Sequence, residues 1–197
     1  MSAFTRQAQA FPPAYTKSLR AKILASRYFA VHTLNRDFVQ TRGFSIVFRR
    51  DSLGRVEREL PYFKPFLDRA LREDCNAFYL NPLLLVTGSR VDPHIDRSLR
   101  SYCVHIDTPV CVSVLYVDVS PNMRGGELVL CRGRRHLGKI TPATNTLVTF
   151  EGDLSHSIDR VVSDGTRLSL VCEQYRLTPE ELEQIPEYAI ESRARYA

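Results

Sequence analysis

The sequence has no apolar run approaching the eighteen or so residues that a membrane-spanning helix needs, so no such helix is expected and the chain reads as soluble. It also has no Gly/Ser-rich or Pro-rich linker and no internal repeat, which excludes a tandem of domains or a solenoid; 197 residues suffice for one substantial core. No CxxC pair is present, so neither a zinc ribbon nor a dithiol redox motif is expected. The five cysteines are odd in number and sit mostly in apolar stretches, which suits reduced, buried thiols in a cytoplasmic compartment.

Acidic residues are missing from one place in particular. Residues 1–36 hold Arg6, Lys17, Arg20, Lys22, Arg27 and Arg36 with no acid, so this segment carries +6 and the remainder −1 of the formal +5. A basic, acid-free start resembles an organelle transit peptide, but the spacing of Leu19, Ile23, Leu24 and Tyr28 favours a helix packed on the domain. The nearly neutral body lacks interleaved basic and aromatic clusters, which argues against nucleic acid as a partner.

Along the chain, helices lead and strands follow. Residues 16–32 read as a helix, a β segment lies around Phe44 to Phe48, and a second helix is expected from Pro61 to Arg72 with Phe63, Phe66, Leu67 and Leu71 inward. Short apolar segments follow at 77–87, 110–119, 127–131, 146–150, 155–162 and 167–175, the pattern of an all-β sandwich or barrel. Gly125-Gly126 and Asp164-Gly165 mark tight bends. Thr178-Pro179-Glu180-Glu181 supplies a cap, a first-turn proline and a glutamate three residues after the cap, so a short helix closes the chain.

Within the β region, His94 and Asp96 are two apart and project to one side of an extended segment. The strand from Leu83 is expected to end at Thr87, because Val91-Asp92-Pro93 interrupts a ladder, leaving the pair at a strand mouth. His156 lies roughly sixty residues on, enough β-structure to bring the chain back across a barrel. Two imidazoles and a carboxylate are a donor set that holds a ferrous ion on one face. Arg167 and Ser169 share a strand face just after Asp164-Gly165, so the strands bearing His156 and Arg167 are expected to be antiparallel neighbours. A lone arginine here would equally suit a surface pair with Asp159 or Asp164. A second pair, His105-Ile106-Asp107, competes with His94 and Asp96 and would sit very close to the Val112 to Tyr116 strand. Glu127 reads as a turn or rim residue.

Four motifs in order carry a family resemblance: His94-Ile-Asp96; Val112-Ser-Val-Leu-Tyr116 running to Gly125-Gly-Glu-Leu128; Gly152-Asp-Leu-Ser-His156-Ser; and Gly165-Thr-Arg167-Leu-Ser169. Together, over about residues 77–176, they resemble the iron(II)- and 2-oxoglutarate-dependent dioxygenases, in particular the prolyl 4-hydroxylase-like branch. The resemblance implies a mainly β fold with flanking helices and a double-stranded β-helix (jelly-roll) core. It divides the single domain into a helical support region with a β segment (1–75), a jelly-roll catalytic core (76–176) and a C-terminal helix and tail (177–197). It implies that His94, Asp96 and His156 bind Fe(II), that Arg167 pairs with the far carboxylate of 2-oxoglutarate, and that Ser169 and Tyr116 add contacts there. The implied reaction couples oxidative decarboxylation of 2-oxoglutarate by O2 to hydroxylation of an unactivated C–H bond. Its substrate would be prolyl, peptidyl or small and amino-acid-like, with room for ascorbate as an accessory reductant. The segment 98–108 stands where relatives carry variable substrate-binding elements, and Arg97 and Arg100 read as solvated. The rival is a non-redox, cupin-like metal-binding protein of the same barrel without 2-oxoglutarate turnover.

Overall fold

The computed structural model describes residues 2–32 and 38–194. Arg36 of the basic segment and residues 195–197 of the tail lie outside the described residues. In chain order the elements begin with β1 (Phe4–Ala8), α1 (Pro13–Leu24), β2 (Ala30–His32), β3 (Phe38–Gly43) and β4 (Ser45–Arg49). Helices α2 (Leu53–Glu59) and α3 (Lys64–Ala70) come next, joined by a 3-10 turn at Pro61–Phe63. The β region holds β5 (Ala77–His94), β6 (Cys111–Val119), β7 (Leu128–Arg132), β8 (Arg135–Ile140), β9 (Thr146–Glu151), β10 (Ser155–Ile158) and β11 (Arg167–Tyr175). The last elements are α4 (Pro179–Gln184) and β12 (Tyr188–Glu191).

All described strands belong to one antiparallel sheet of order β1-β9-β6-β11-β5-β10-β7-β8, with β3 and β4 also on β5 and β12 on β4. Strict alternation on the central strands sorts side chains between two compartments. On β11, Leu168, Leu170 and Cys172 join Phe78, Leu80, Leu84, Leu115 and Val117 in a core that the helices cover with Leu19, Ile23, Phe63, Phe66 and Leu67. Each such aliphatic side chain buried contributes about 1.5–3 kcal/mol. Arg167, Ser169 and Glu173, odd-numbered residues of β11, are buried on the other face.

Helix α1 starts at Pro13 and stops at Leu24, shorter than the 16–32 its spacing suggests, and the chain from Ala30 pairs as β2 with β3 instead. Its Leu19 and Ile23 are fully buried, so the basic segment packs on the domain. The helix expected at 61–72 is a 3-10 turn followed by α3, with Phe63, Phe66 and Leu67 buried as expected. Both α2 and β8 escaped the sequence pattern: α2 buries only Val56, and β8 is an edge strand that exposes Arg135, His136 and Lys139 and buries only Ile140.

Strand β5 positions the site. It does not stop at Thr87 but runs on through His94. At Gly88 the backbone takes φ +87°, conformational space that a side chain rarely enters, opposite Gln40 at φ +54°. Ser89 stabilises the bend by accepting from the Val86 N–H (2.9 Å) and donating to the Gln40 carbonyl (2.6 Å). Pro93 falls inside a bulge, because Val91 pairs with Ile158 and His94 with His156, so its missing N–H removes no regular rung. One strand thereby pairs with β11 over Ala77 to Leu85 and with β10 near its end.

This corrects the expected adjacency of β10 and β11. The two strands do not pair with each other: both run antiparallel to β5 along one edge of it, β11 beside Ala77 to Leu85 and β10 near the end, while β3 holds the other edge. By contrast, Gly125 and Gly126 both adopt positive φ, as a tight bend requires. The α4 cap also forms as the sequence indicates, with Thr178 and Glu181 exchanging both hydrogen bonds of a capping box.

Candidate active site

Direct register pairing of His94 with His156 brings residues sixty-two apart in sequence face to face, with ring centroids 4.4 Å apart. Asp96 follows on the segment leaving β5. Its Oδ1 lies 3.3 Å from His94 Nε2 and its Oδ2 lies 3.4 Å from His156 Nε2. The three ligand atoms lie within 4.8 Å of one another, and this is the one such His/Cys/Asp/Glu group found among the described residues.

The backbone selects the tautomer. His94 Nδ1 is 2.8 Å from the Asp92 carbonyl and His156 Nδ1 is 3.2 Å from the Leu154 carbonyl. A carbonyl can only accept, so each ring donates through Nδ1 and turns an unprotonated Nε2 toward Asp96. Phe38 packs against His94 and Phe150 against His156, at 5.5 Å and 5.1 Å between ring centroids. Burial keeps the His156 imidazole below its usual pKa despite the attraction of Asp96. Burial alone would raise the Asp96 carboxyl, but the electrostatic influence of the adjoining His156 and His94 rings outweighs it and holds the carboxyl low. Asp96 Oδ2 is buried without a hydrogen-bond partner among the described residues. Two neutral imidazole nitrogens and an ionised, under-satisfied carboxylate suit a divalent transition-metal ion.

These three residues line a cavity of about 190 Å³. Its wall is largely apolar, with Leu83, Val91, Val112, Val114, Leu128 and Ile158 facing inward. Arg167 reaches the same wall and is 1% exposed. It donates from Nη1 to the Gly126 carbonyl (2.5 Å) and from Nε to Ser169 Oγ (3.1 Å), and its guanidinium stands 4.6 Å from the Tyr116 ring centre. No carboxylate pairs with it among the described residues. Asp159, the surface partner weighed from the sequence, instead pairs with Lys139 at 2.7 Å. Burial pulls the guanidinium below its ordinary pKa, yet arginine stays cationic in proteins. Ser169 and Tyr116 are fully buried beside Arg167 and are not part of the cavity wall; the Tyr116 hydroxyl has no hydrogen-bond partner among the described residues.

The other sequence candidates lie elsewhere. His105 and Asp107 are exposed, outside the cluster. Glu127 is half-buried and is not on the wall. Arg100 braces its own loop by donating to the Ile106 carbonyl (2.7 Å), while Arg97 is exposed at the cavity margin.

One buried acid on the wall was not singled out from the sequence. Glu173 is 3% exposed and accepts from Ser98 Oγ (2.6 Å), from the Ser98 N–H (3.2 Å) and from the Tyr175 hydroxyl. Burial, reinforced by the negative charge of Asp96, pushes its carboxyl up to about 8. Its parity with Arg167 and Ser169 on β11 was a legible signal, an acid on the polar face of an otherwise apolar strand.

No family model matches the chain, and no curated protein matches it in sequence. Solved structures do. The chain is similar to a prolyl-4-hydroxylase of Pseudomonas putida at a TM-score of 0.62 and 16% identity, over 90% of this chain and 95% of that one. It is similar to a Trichoplax adhaerens prolyl hydroxylase, in complex with a hypoxia inducible factor oxygen degradation domain peptide fragment, at 0.60 and 13%, over 92% and 86%. A viral collagen prolyl hydroxylase of Paramecium Bursaria Chlorella virus-1, a 2-oxoglutarate complex, matches at 0.56 and 12%, over 90% and 97%. At such identities the likeness shows the fold: a jelly-roll core with flanking helices, as the motif order suggested.

Proposed function

We propose that this protein is an Fe(II)- and 2-oxoglutarate-dependent oxygenase that hydroxylates an unactivated C–H bond. The observation that carries the reading is a buried, carboxylate-free Arg167 on the wall of the cavity that also holds the His94, Asp96 and His156 donor set. A buried cation without a counter-ion is costly to the folded chain unless a ligand supplies the missing charge. A dicarboxylate that chelates a metal at one end and meets a guanidinium at the other satisfies both groups. The solved structures of the same fold include hydroxylases and a 2-oxoglutarate complex, which agrees with the proposal.

In this reading His94 and His156 bind iron through Nε2 and Asp96 through its carboxylate. Bound there, iron and 2-oxoglutarate would supply the oxidising chemistry with O2, and 2-oxoglutarate would leave as succinate. Arg167 anchors the far carboxylate by a forked contact, Ser169 fixes its Nε, and the unpartnered Tyr116 hydroxyl offers a second donor to the same group. The backbone carbonyls of Asp92 and Leu154 hold the ring protons at Nδ1, and the apolar wall keeps water from the reacting atoms. The substrate is read as peptidyl or small and amino-acid-like. A reducing, cytoplasmic compartment is supported by five free thiols, four of them buried.

The test is stoichiometric succinate from 2-oxoglutarate by the Fe(II)-loaded protein under oxygen. Tight metal binding with no succinate above an iron-only control points instead to a non-redox protein.

A further inference from the structure

The cavity wall carries a second buried ionisable group, an acid where Arg167 is a base. Arg167 and Glu173 lie on one face of β11, six residues or about 20 Å apart along the strand. Arg167 is tied to Gly126 at one end, whereas Glu173 is tied at the other to Ser98, two residues beyond Asp96. The segment 94–98 thus crosses from β10 to β11, placing the metal-binding donor set next to Glu173. None of the hydrogen-bond partners of Glu173 is a cation; they are one N–H and two hydroxyls. The argument made for Arg167 has its counterpart here, since a buried carboxyl on a cavity wall with no cation of the chain beside it ionises most readily against a cationic ligand, which supplies the missing charge. Arg167 is taken by the cosubstrate, so Glu173 is left for the molecule to be oxidised.

We propose that Glu173 is a specificity-determining residue that receives a protonated amine of the primary substrate. The proposal rests on the oxygenase reading and narrows it to amine-bearing substrates, either a free small amine or a lysyl side chain in a peptide.

Ligand-observed NMR on the full chain with Fe(II) and 2-oxoglutarate, without oxygen, tests this with two matched pairs. The small-molecule arm uses n-butylamine against N-butylacetamide. The peptide arm uses Ac-Ala-Lys-Ala-NH2 against the same peptide acetylated on the lysine. In the wild type at least one amine should bind roughly tenfold or more tightly than its acetylated partner, and the arm that does so names the source. Glu173→Gln should erase that preference while 2-oxoglutarate still binds. Ser98→Ala, which removes one hydroxyl but leaves the carboxyl, should keep it. Equal binding of amine and amide in the wild type overturns the proposal without any variant having to fold. Loss of the preference in Ser98→Ala as completely as in Glu173→Gln also overturns it, by making the carboxylate a clamp on the 94–98 segment. If the wild type fails to bind 2-oxoglutarate in the same samples, the oxygenase reading falls and takes this assignment with it.

Discussion

Replacing Arg167 with methionine separates the stability of the chain from its hold on 2-oxoglutarate. Methionine has a similar reach, no charge and no donor. In the unliganded protein the change strands two buried acceptors, the Gly126 carbonyl and Ser169 Oγ, at about 1–3 kcal/mol each. It also removes a buried charge whose desolvation opposes folding by several kcal/mol. The two effects offset, so the unliganded variant should fold with stability within about 3 kcal/mol of the wild type. Binding has no such compensation. Breaking a buried ion pair by deleting one partner removes about 3–5 kcal/mol, roughly two to three and a half orders of magnitude in Kd. Thermal unfolding of the metal-loaded protein under nitrogen reads this directly. At 2-oxoglutarate of about 100 times the wild-type Kd the cosubstrate adds about 2.7 kcal/mol, or roughly 5–10 °C in Tm for a domain of this size. A variant weakened about 100-fold keeps only about 0.4 kcal/mol, near 1 °C. A wild-type shift in Arg167→Met would refute the assignment of Arg167 as the anchor.

Three further outcomes follow from the geometry. Alanine at His94, Asp96 or His156 should abolish stoichiometric Fe(II) binding in anaerobic equilibrium dialysis, while the exposed His105→Ala keeps it; the reverse pattern would move the site to the second His-x-Asp pair. Gly125→Ala should lower Tm far more than Gly133→Ala. Both have positive φ, but only at Gly125 does an added Cβ fall on backbone, 1.9 Å from the Arg160 carbonyl oxygen, so the expected losses are more than about 2 kcal/mol against about 1 kcal/mol; equal shifts would contradict the close approach. Glu173 sets a pH dependence in the metal-free chain: with its folded pKa raised to about 8, its contribution is complete in acid and is lost as pH rises from the ordinary carboxyl range through about 8. Glu173→Gln therefore becomes the more stable protein, relative to wild type, between pH 5 and pH 9 in denaturant titrations; a constant difference across that range would show that the carboxyl is not destabilised by burial.

What the sequence made legible was local. The capping box at Thr178, the alternation of Arg167, Leu168, Ser169 and Leu170, and the apolar strands of the β region are set by near neighbours and appear where expected. Elements whose identity depends on distant partners were not visible. Strand β8 is polar and is a strand because β7 lies beside it. Continuity of β5 past Gly88 and Pro93 depends on bulges facing β3 and β10, so residues that read as breakers serve as bends. That β10 and β11 share one edge of β5 in succession rather than pairing with each other is a topological fact that a turn signal at Asp164-Gly165 cannot reveal. The spacing of the His94 and Asp96 pair showed which residues could share a side, but only the register of His94 on His156 brings the third donor to it. The parity of Glu173 with Arg167 and Ser169 is legible in the sequence, but its place on a cavity wall depends on strands and loops far from it in the chain.

The most direct test of the account is an anaerobic titration of the protein with one equivalent of Fe(II) and then with 2-oxoglutarate, followed by visible absorption. The account predicts a metal-to-ligand charge-transfer band that grows to one cosubstrate per iron and is absent from His156→Ala. A protein that binds iron stoichiometrically yet develops no band at saturating 2-oxoglutarate would contradict it.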